Sequence, residues 1–236
     1  GGGGRGGRTG ASMPRLTYFS WTEATIGKIQ AVTPAEGEKP RGPITAEEHV
    51  RKALGFDTAK LSGDTRPVLV YFHYPHDHSK HGKLSTTVCS RTLDNEHAAR
   101  WSLMFRCVQI DMGTTVTKYA DLVGHKGAPA FVALDADLEV RAEIPVTKSG
   151  AKLKKALEAA FKKFPAATKR LKKQIAHHKK LLSKAKALEK KDEYDDAVDA
   201  VDEIRFGKVR VSPYFEKAVT YGQMLAQKAE RAGLGK

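Results

Sequence analysis

The run Pro67-Val-Leu-Val-Tyr-Phe-His73 predicts a central strand, and Asp77-His78-Ser79-Lys80-His81-Gly82-Lys83-Leu84 predicts the start of a helix after it. A continuous apolar run is typical of a strand that is covered on both faces of its sheet. The segment Phe105–Met112 predicts a second strand after a crossover of roughly thirty residues, which is the length of a parallel, right-handed βαβ unit.

The segments around this unit predict further regular structure. Thr45-Ala-Glu-Glu48 fits a capping box at the start of a helix that Gly55 ends. A helical stretch at 116–123 precedes Gly127-Ala128-Pro129, and the strands 130–134 and 138–144 then form a hairpin. An amphipathic helix at 151–164 completes a mixed α/β arrangement.

This order of elements, βαβ then α then ββα, resembles the thioredoxin fold over about residues 60–164. The resemblance implies a three-layer core, a reactive Cys-x-x-Cys at the start of the first helix, and a cis-proline loop facing it. In this sequence His78 and His81 occupy the two cysteine positions, and Ala128-Pro129 occupies the position of the cis-proline loop. Ordinary disulfide exchange is therefore excluded at that place, and the resemblance implies a ligand-binding pocket formed by His78, His81, Ala128 and Pro129.

The histidines form a cluster that points to metal chemistry. His73, His76, His78 and His81 fall within nine residues. Imidazole is the commonest metal ligand near neutral pH and suits Zn or Cu. These four residues are therefore one candidate metal site. Two alternatives are left open. The histidines could belong to a solvated loop, or they could form a pocket for acid–base catalysis or anion binding.

The two cysteines, Cys89 and Cys107, do not form a disulfide framework. Cys107 has apolar neighbours in a predicted strand and is expected in the core. Cys89 is a weak candidate catalytic thiol, because Arg91 could lower its pKa, but it lies too far along the chain to replace either dithiol sulfur.

Composition divides the chain into three parts. Residues 1–43 begin with a Gly-rich tract and predict a disordered or irregular segment with one short element at 16–21. Residues 44–164 predict the thioredoxin-like domain, and residues 165–236 a helical extension. No apolar run is long enough to cross a bilayer, so no membrane partner is expected and a cytoplasmic location is favoured, with a removed signal left open.

The positive charge is concentrated in one region. The net charge is +14, and residues 148–191 contain sixteen Lys and Arg against Glu158 and Glu189. A narrow apolar stripe follows the helix expected at 166–191, and the pattern from Leu188 to Ile204 resembles a tetratricopeptide-type repeat. Ser212 then predicts the N-cap of a last helix that begins at Pro213. An acidic partner or nucleic acid could bind 148–191, although this helix lacks aromatic residues for base stacking.

These observations favour a thioredoxin-like protein without the dithiol, active in protein interaction or scaffolding through its C-terminal helices. Fewer than three repeats hardly stand alone, so these helices should pack on the α/β core or on another protein. The alternatives are a thiol- or metal-dependent oxidoreductase that uses Cys89 or the histidine cluster, and a polyanion-binding module that uses the lysine-rich helix.

Overall fold

The computed structural model describes residues 19–28, 44–74, 80–88, 92–93 and 95–234. In these residues it places a five-stranded mixed sheet, helices on both faces of the sheet, and a helical C-terminal region. The mixed α/β class and the helical extension predicted from the sequence are confirmed at this level.

The strands are β1 (Trp21–Ala24), β2 (Val68–His73), β3 (Arg106–Asp111), β4 (Ala130–Leu134) and β5 (Val140–Ile144). Their order across the sheet is β1-β3-β2-β4-β5. Strands β1 and β2 run parallel to β3, whereas β4 is antiparallel to β2 and β5 is antiparallel to β4. The predicted parallel βαβ unit and the predicted hairpin are therefore both present.

The helices of the α/β part are α1 (Ala46–Ala53), α2 (Phe56–Leu61), α3 (Lys80–Thr87), α4 (Glu96–Ser102), α5 (Thr117–Asp121) and α6 (Gly150–Phe161). The C-terminal region contains α7 (Pro165–Glu189), α8 (Tyr194–Arg205) and α9 (Phe215–Leu234). None of the described helices combines the length and apolar character that a membrane span requires.

The capping box predicted for α1 is present. The Thr45 hydroxyl accepts from the backbone N–H of Glu48 at 3.1 Å, and the Glu48 carboxylate accepts from the backbone N–H of Thr45 at 2.9 Å. Gly55 follows the helix with a φ of 70°, a left-handed conformation that glycine adopts without steric cost. Short-range polar signals thus define both ends of this helix.

Strand β2 lies between two apolar cores. Leu69 and Tyr71 contribute to a core with α4 and α6, whereas Val70 and Phe72 contribute to a second core with α1 and α5. All six residues of the strand are buried. The continuous apolar run in the sequence is explained by this double burial, because successive strand side chains point to opposite faces.

Helix α7 connects the sheet to the C-terminal helices. Near its start, Ala167 and Leu171 belong to the core shared by α4 and α6. Further along, Leu181, Leu182 and Ala185 belong to a third core with α8 and α9. The C-terminal helices were expected to pack on the α/β core or on another protein, and the structure shows contact with the α/β core.

Four local expectations differ from the structure. The first strand is Trp21–Ala24, whereas the sequence placed a short element at 16–21, of which 16–18 lie outside the described residues. Helix α2 was not expected. The last helix begins at Phe215 rather than at Pro213, because the Ser212 hydroxyl and carbonyl accept from Tyr214 and Phe215 in a separate turn.

The fourth difference concerns Pro129. No peptide bond of the described residues is cis, so the cis Ala128–Pro129 bond implied by the resemblance is wrong. The trans form is the ordinary preference for an X–Pro bond, and an extended trans proline leads directly into β4 at Ala130.

Candidate functional site

The predicted histidine site is only partly described. His73 is the last residue of β2 and is buried, and His81 lies in the first turn of α3 and is half-buried. His76 and His78 lie outside the described residues, and so does the candidate thiol Cys89. His73 and His81 are therefore the two members of the cluster whose neighbours the structure describes.

His73 faces β1. Its Nε2 lies 3.7 Å from Oε2 of Glu23, and its ring stacks on Tyr71 with a centroid distance of 5.7 Å. Glu23 itself is exposed, so this contact reaches the surface at the edge of the sheet. A protonated His73 would form an ion pair with the Glu23 carboxylate.

His81 begins a chain of polar and aromatic contacts that we call the His81–Asp121 network. The His81 ring stacks on Tyr74 at a centroid distance of 5.5 Å. The Tyr74 hydroxyl lies 2.9 Å from Nε2 of His125, and Nδ1 of His125 lies 3.6 Å from Oδ1 of Asp121. Four residues are thereby connected: one follows β2 directly, and the others lie in α3, in α5 and in the loop after α5.

His125 is the buried member of this network. Burial lowers its pKa, and the neighbouring Asp121 carboxylate opposes that effect. The ring also packs edge-on against Phe72 at 5.1 Å. When the neutral ring carries its proton on Nδ1, the N–H group points toward the Asp121 carboxylate. Its Nε2 then accepts a hydrogen bond from the Tyr74 hydroxyl.

The local sequence explains why Tyr74 is held here. Its backbone N–H donates to Oγ of Ser85 at 3.1 Å, which fastens the end of β2 to α3. Ser85 is buried in α3, so the hydroxyl is fixed between the two elements. Polar groups at the end of β2 and on α3 are thus held at the same edge of the sheet.

The predicted loop residues lie at the same edge. Pro129 is buried and Ala128 is half-buried. Ala130 is paired with Phe72, so Pro129 precedes β4 where His73 ends β2. The structure therefore brings the loop, His73 and the His81–Asp121 network to one edge of the sheet.

Only two of the four histidines predicted as metal ligands lie among the described residues. Among the described residues, no three His, Cys, Asp or Glu side chains are grouped as ligands for one ion. Because two of the four predicted ligands, His76 and His78, lie outside that part of the chain, a site for Zn or Cu stays a prediction.

The described cysteine has no features of a reactive thiol. Cys107 lies in β3 and is buried in the core with α4 and α6. Its Sγ–H donates to the carbonyl of Ser102 at 3.5 Å. Burial raises its pKa to about 12, so the nucleophilic thiolate is scarce at neutral pH.

The lysine-rich helix α7 presents its charges to solvent. Its buried residues are Ala167, Leu171, His178, Leu181, Leu182 and Ala185, and the lysines on the other faces are exposed. Beside α7 and α9, a groove of about 540 Å³ is lined by Leu182, Lys186, Glu216, Lys217, Thr220, Tyr221 and Met224. We call this the α7–α9 groove.

The sequence did not single out Tyr74, His125 or Asp121. His125 lies in the loop after α5, and only the parallel arrangement of the strands places that loop beside the end of β2. A search for polar residues after every predicted strand or helix at this edge could have found His125. The Tyr74 hydroxyl bond spans 51 residues and has no local signal.

Comparison with known proteins gives no identification. No protein-family model matches the sequence, and no curated protein matches it.

Proposed function

We propose that this chain is a thioredoxin-like protein that binds another protein and does not perform thiol–disulfide exchange. The strand order β1-β3-β2-β4-β5, in which only β4 runs opposite to the other four described strands, supports the thioredoxin-like part of the proposal. The edge at which β2 ends supports it too, because α3 and the Pro129 loop both lie there, as a thioredoxin-like arrangement requires.

The observation that carries the non-redox part is the chemistry of the sulfurs. His78 and His81 occupy the positions at which the resemblance places the dithiol. Cys107 is buried with a pKa raised to about 12. A dithiol mechanism needs an accessible thiolate and a second sulfur within bonding distance, and the described residues provide neither.

The test uses the reactivity of the two thiols. In Cys89→Ala, the remaining Cys107 should react with an aromatic disulfide reagent only as fast as the protein unfolds, so denaturant should accelerate the reaction steeply. The wild type should not catalyse insulin reduction. Insulin reduction that disappears in Cys89→Ala would overturn the proposal in favour of the oxidoreductase alternative.

The interaction part is supported by the α7–α9 groove. Its lining combines the side chains of Leu182, Tyr221 and Met224 with two lysines, Lys186 and Lys217, and one carboxylate, Glu216. Met224 is 37% exposed, so an apolar side chain of this groove is accessible to a partner. The exposed lysines of α7 add positive charge, so the groove suits an acidic segment with apolar side chains from a partner protein.

A photo-crosslinking amino acid placed at Met224 tests this surface in the full chain. We expect one predominant adduct, and a synthetic acidic peptide from the crosslinked partner should compete with it. The same probe at Leu61, which is 91% exposed on α2, is the matched control. Equal adducts at both positions, or none at Met224, would contradict the proposal.

A ligand or metal site at the histidines is the second candidate function. It is favoured by the His81–Asp121 network, in which Tyr74 and His125 form a hydrogen bond at 2.9 Å beside His81. Metal analysis of the untagged protein and of His78→Ala/His81→Ala tests it. Stoichiometric Zn or Cu that the double variant loses would support this candidate, and its absence from the wild type would oppose it.

A further inference from the structure

A cavity with strongly cationic walls lies at the other edge of the sheet. Its volume is about 860 Å³, which is in the range of small-molecule sites. Its lining includes three aspartates, Asp57, Asp64 and Asp135. It also includes seven cationic side chains, which are Arg51, Lys60, Arg66, Arg106, Arg141, Lys163 and Arg170. Like charges at this density raise each other's energy unless an anion balances them.

Most of these cations have no carboxylate partner. Arg66 is paired with Asp64 at 2.6 Å, and Arg141 is paired with Asp135 and Glu139. Within the described residues, no carboxylate lies at ion-pair distance from the remaining five, which are Arg51, Lys60, Arg106, Lys163 and Arg170. The cavity therefore holds a surplus of positive charge.

Three of the guanidinium groups are held in place by neutral carbonyl oxygens. Arg51 donates to the Ala136 carbonyl at 2.7 Å, Arg106 to the Gly55 carbonyl at 2.9 Å, and Arg170 to the Thr65 carbonyl at 2.9 Å. Such bonds fix the direction of the guanidinium without neutralising its charge. Each planar group can then donate its remaining N–H groups to an oxyanion.

Aromatic packing adds to this fixed arrangement. Arg51 and Arg106 both stack on the Phe56 ring, at 5.0 and 4.8 Å from its centroid. Burial and the nearby Arg66 both lower the pKa of Arg106, while Asp64 opposes them. The apolar part of the lining comprises Phe56, Ala59, Pro67, Phe164, Pro165 and Ala167. The site therefore offers an apolar surface beside a cluster of oriented cations.

We propose that this cavity binds a small organic molecule with two or more phosphate groups, such as a nucleoside di- or triphosphate. A single phosphate carries at most about two charges near neutral pH, too few for five unpaired cations. A purely inorganic polyphosphate would leave the apolar lining in contact with water. An organic di- or triphosphate matches both features.

The site is separate from the histidine edge. Strand β2 begins next to Pro67, which lines the cavity, and ends at His73. A strand of six residues separates its ends by about 20 Å. Binding here is thus separate from the second candidate at the histidines, and the cavity shares no lining residue with the α7–α9 groove.

The experiment is calorimetric titration of the full chain with two probes, ATP and inorganic tripolyphosphate, at low ionic strength. We expect one binding site for each probe and tighter binding of ATP. Arg170→Gln/Lys163→Gln should weaken binding at least about tenfold, because a charge-assisted hydrogen bond corresponds to a change of that size. Both residues are exposed, so the fold should tolerate the change.

The matched control is Lys179→Gln/Arg231→Gln, which removes the same charges from exposed positions on α7 and α9 outside the cavity. It should keep wild-type affinity. Arg106→Gln, checked for folding by circular dichroism, should weaken binding as the first variant does. The proposal fails if neither probe binds at a single site, if the control loses as much affinity as the cavity variants, or if ATP binds no better than tripolyphosphate.

Discussion

His178 is a buried histidine on α7, where it packs among the C-terminal helices. Burial lowers its pKa, the neighbouring His177 acts in the same direction, and Glu203 on α8 opposes them. Within the described residues its Nδ1 has no hydrogen-bond partner. The neutral ring is therefore the form that the folded state accommodates.

The consequence is a pH-dependent stability with a definite sign. A histidine whose folded pKa lies below its unfolded value, about 6.5, binds more protons when the chain unfolds. Its contribution to the free energy of unfolding is intact above that value and is lost as pH falls below it. His125, whose pKa burial also lowers, acts in the same direction.

His178→Leu is expected to reduce this loss. The free energy of unfolding at about pH 8 should stay unchanged or rise by up to about 1–2 kcal/mol, because an unsatisfied polar ring becomes an apolar side chain. Urea titrations at about pH 8 and pH 5.5 give the comparison. His97→Leu, at an exposed position on α4, is the control and should retain the wild-type pH dependence. Identical pH dependence in His178→Leu would contradict the prediction.

At the scale of elements, the ends of α1 show how far local chemistry determines structure. The Thr45–Glu48 capping box satisfies two backbone N–H groups that have no partner inside the helix. Thr45→Ala removes the side-chain acceptor, and the free energy of unfolding should fall by about 1 kcal/mol. Chemical denaturation monitored by circular dichroism measures this difference.

Thr58→Ala is the matched control, because Thr58 is exposed inside α2 and alanine has the higher helix propensity. This variant should be as stable as the wild type or slightly more stable. If both substitutions cost the same free energy, the loss at Thr45 would not come from the cap.

The same contrast explains which elements the sequence could predict. The buried strand β2, the capped helix α1 and the hairpin of β4 and β5 have signals within a few residues, and all three were predicted. Helix α2 has only six residues, of which Phe56 and Ala59 are buried. Two buried positions are too few to show a helical period in the sequence. The trans Pro129 was missed because the resemblance, rather than the local sequence, suggested the cis form.

The candidate site was harder to predict for a physical reason. His73 and His81 were recognised because they are near in sequence, whereas His125 comes to Tyr74 only through the packing of α5 beside the sheet. The cationic cavity likewise combines side chains from α1, the start of β3 and α7. Long-range contacts of this kind leave no spacing that a single sequence could show.

At the scale of the whole molecule, α7 is the main connection between the sheet and the C-terminal helices. Leu171 lies in the core with α4 and α6, and Leu182 lies in the core with α8 and α9. Two further links exist: Val209, between α8 and α9, is buried in the core with α4 and α6, and Arg100 bonds to Glu216 at 2.8 Å and stacks on Phe215. The Glu216 carboxylate is exposed to solvent, so its ion pair with Arg100 contributes little to the free energy of unfolding.

Because one continuous helix belongs to both cores, heat should unfold the wild-type chain in a single cooperative transition. Gln174 lies on α7 beside Ile175, the last residue of this helix that packs on the first core, and its side chain is exposed. Gln174→Pro removes a helical hydrogen bond and breaks the helix, at a cost of about 3 kcal/mol or more. Each half of α7 keeps its own core, so calorimetry of this variant should show two separate transitions. Gln174→Ala changes the same side chain without breaking the helix and should keep the single transition. Two transitions in the wild type, or one in Gln174→Pro, would show that α7 does not couple the two parts.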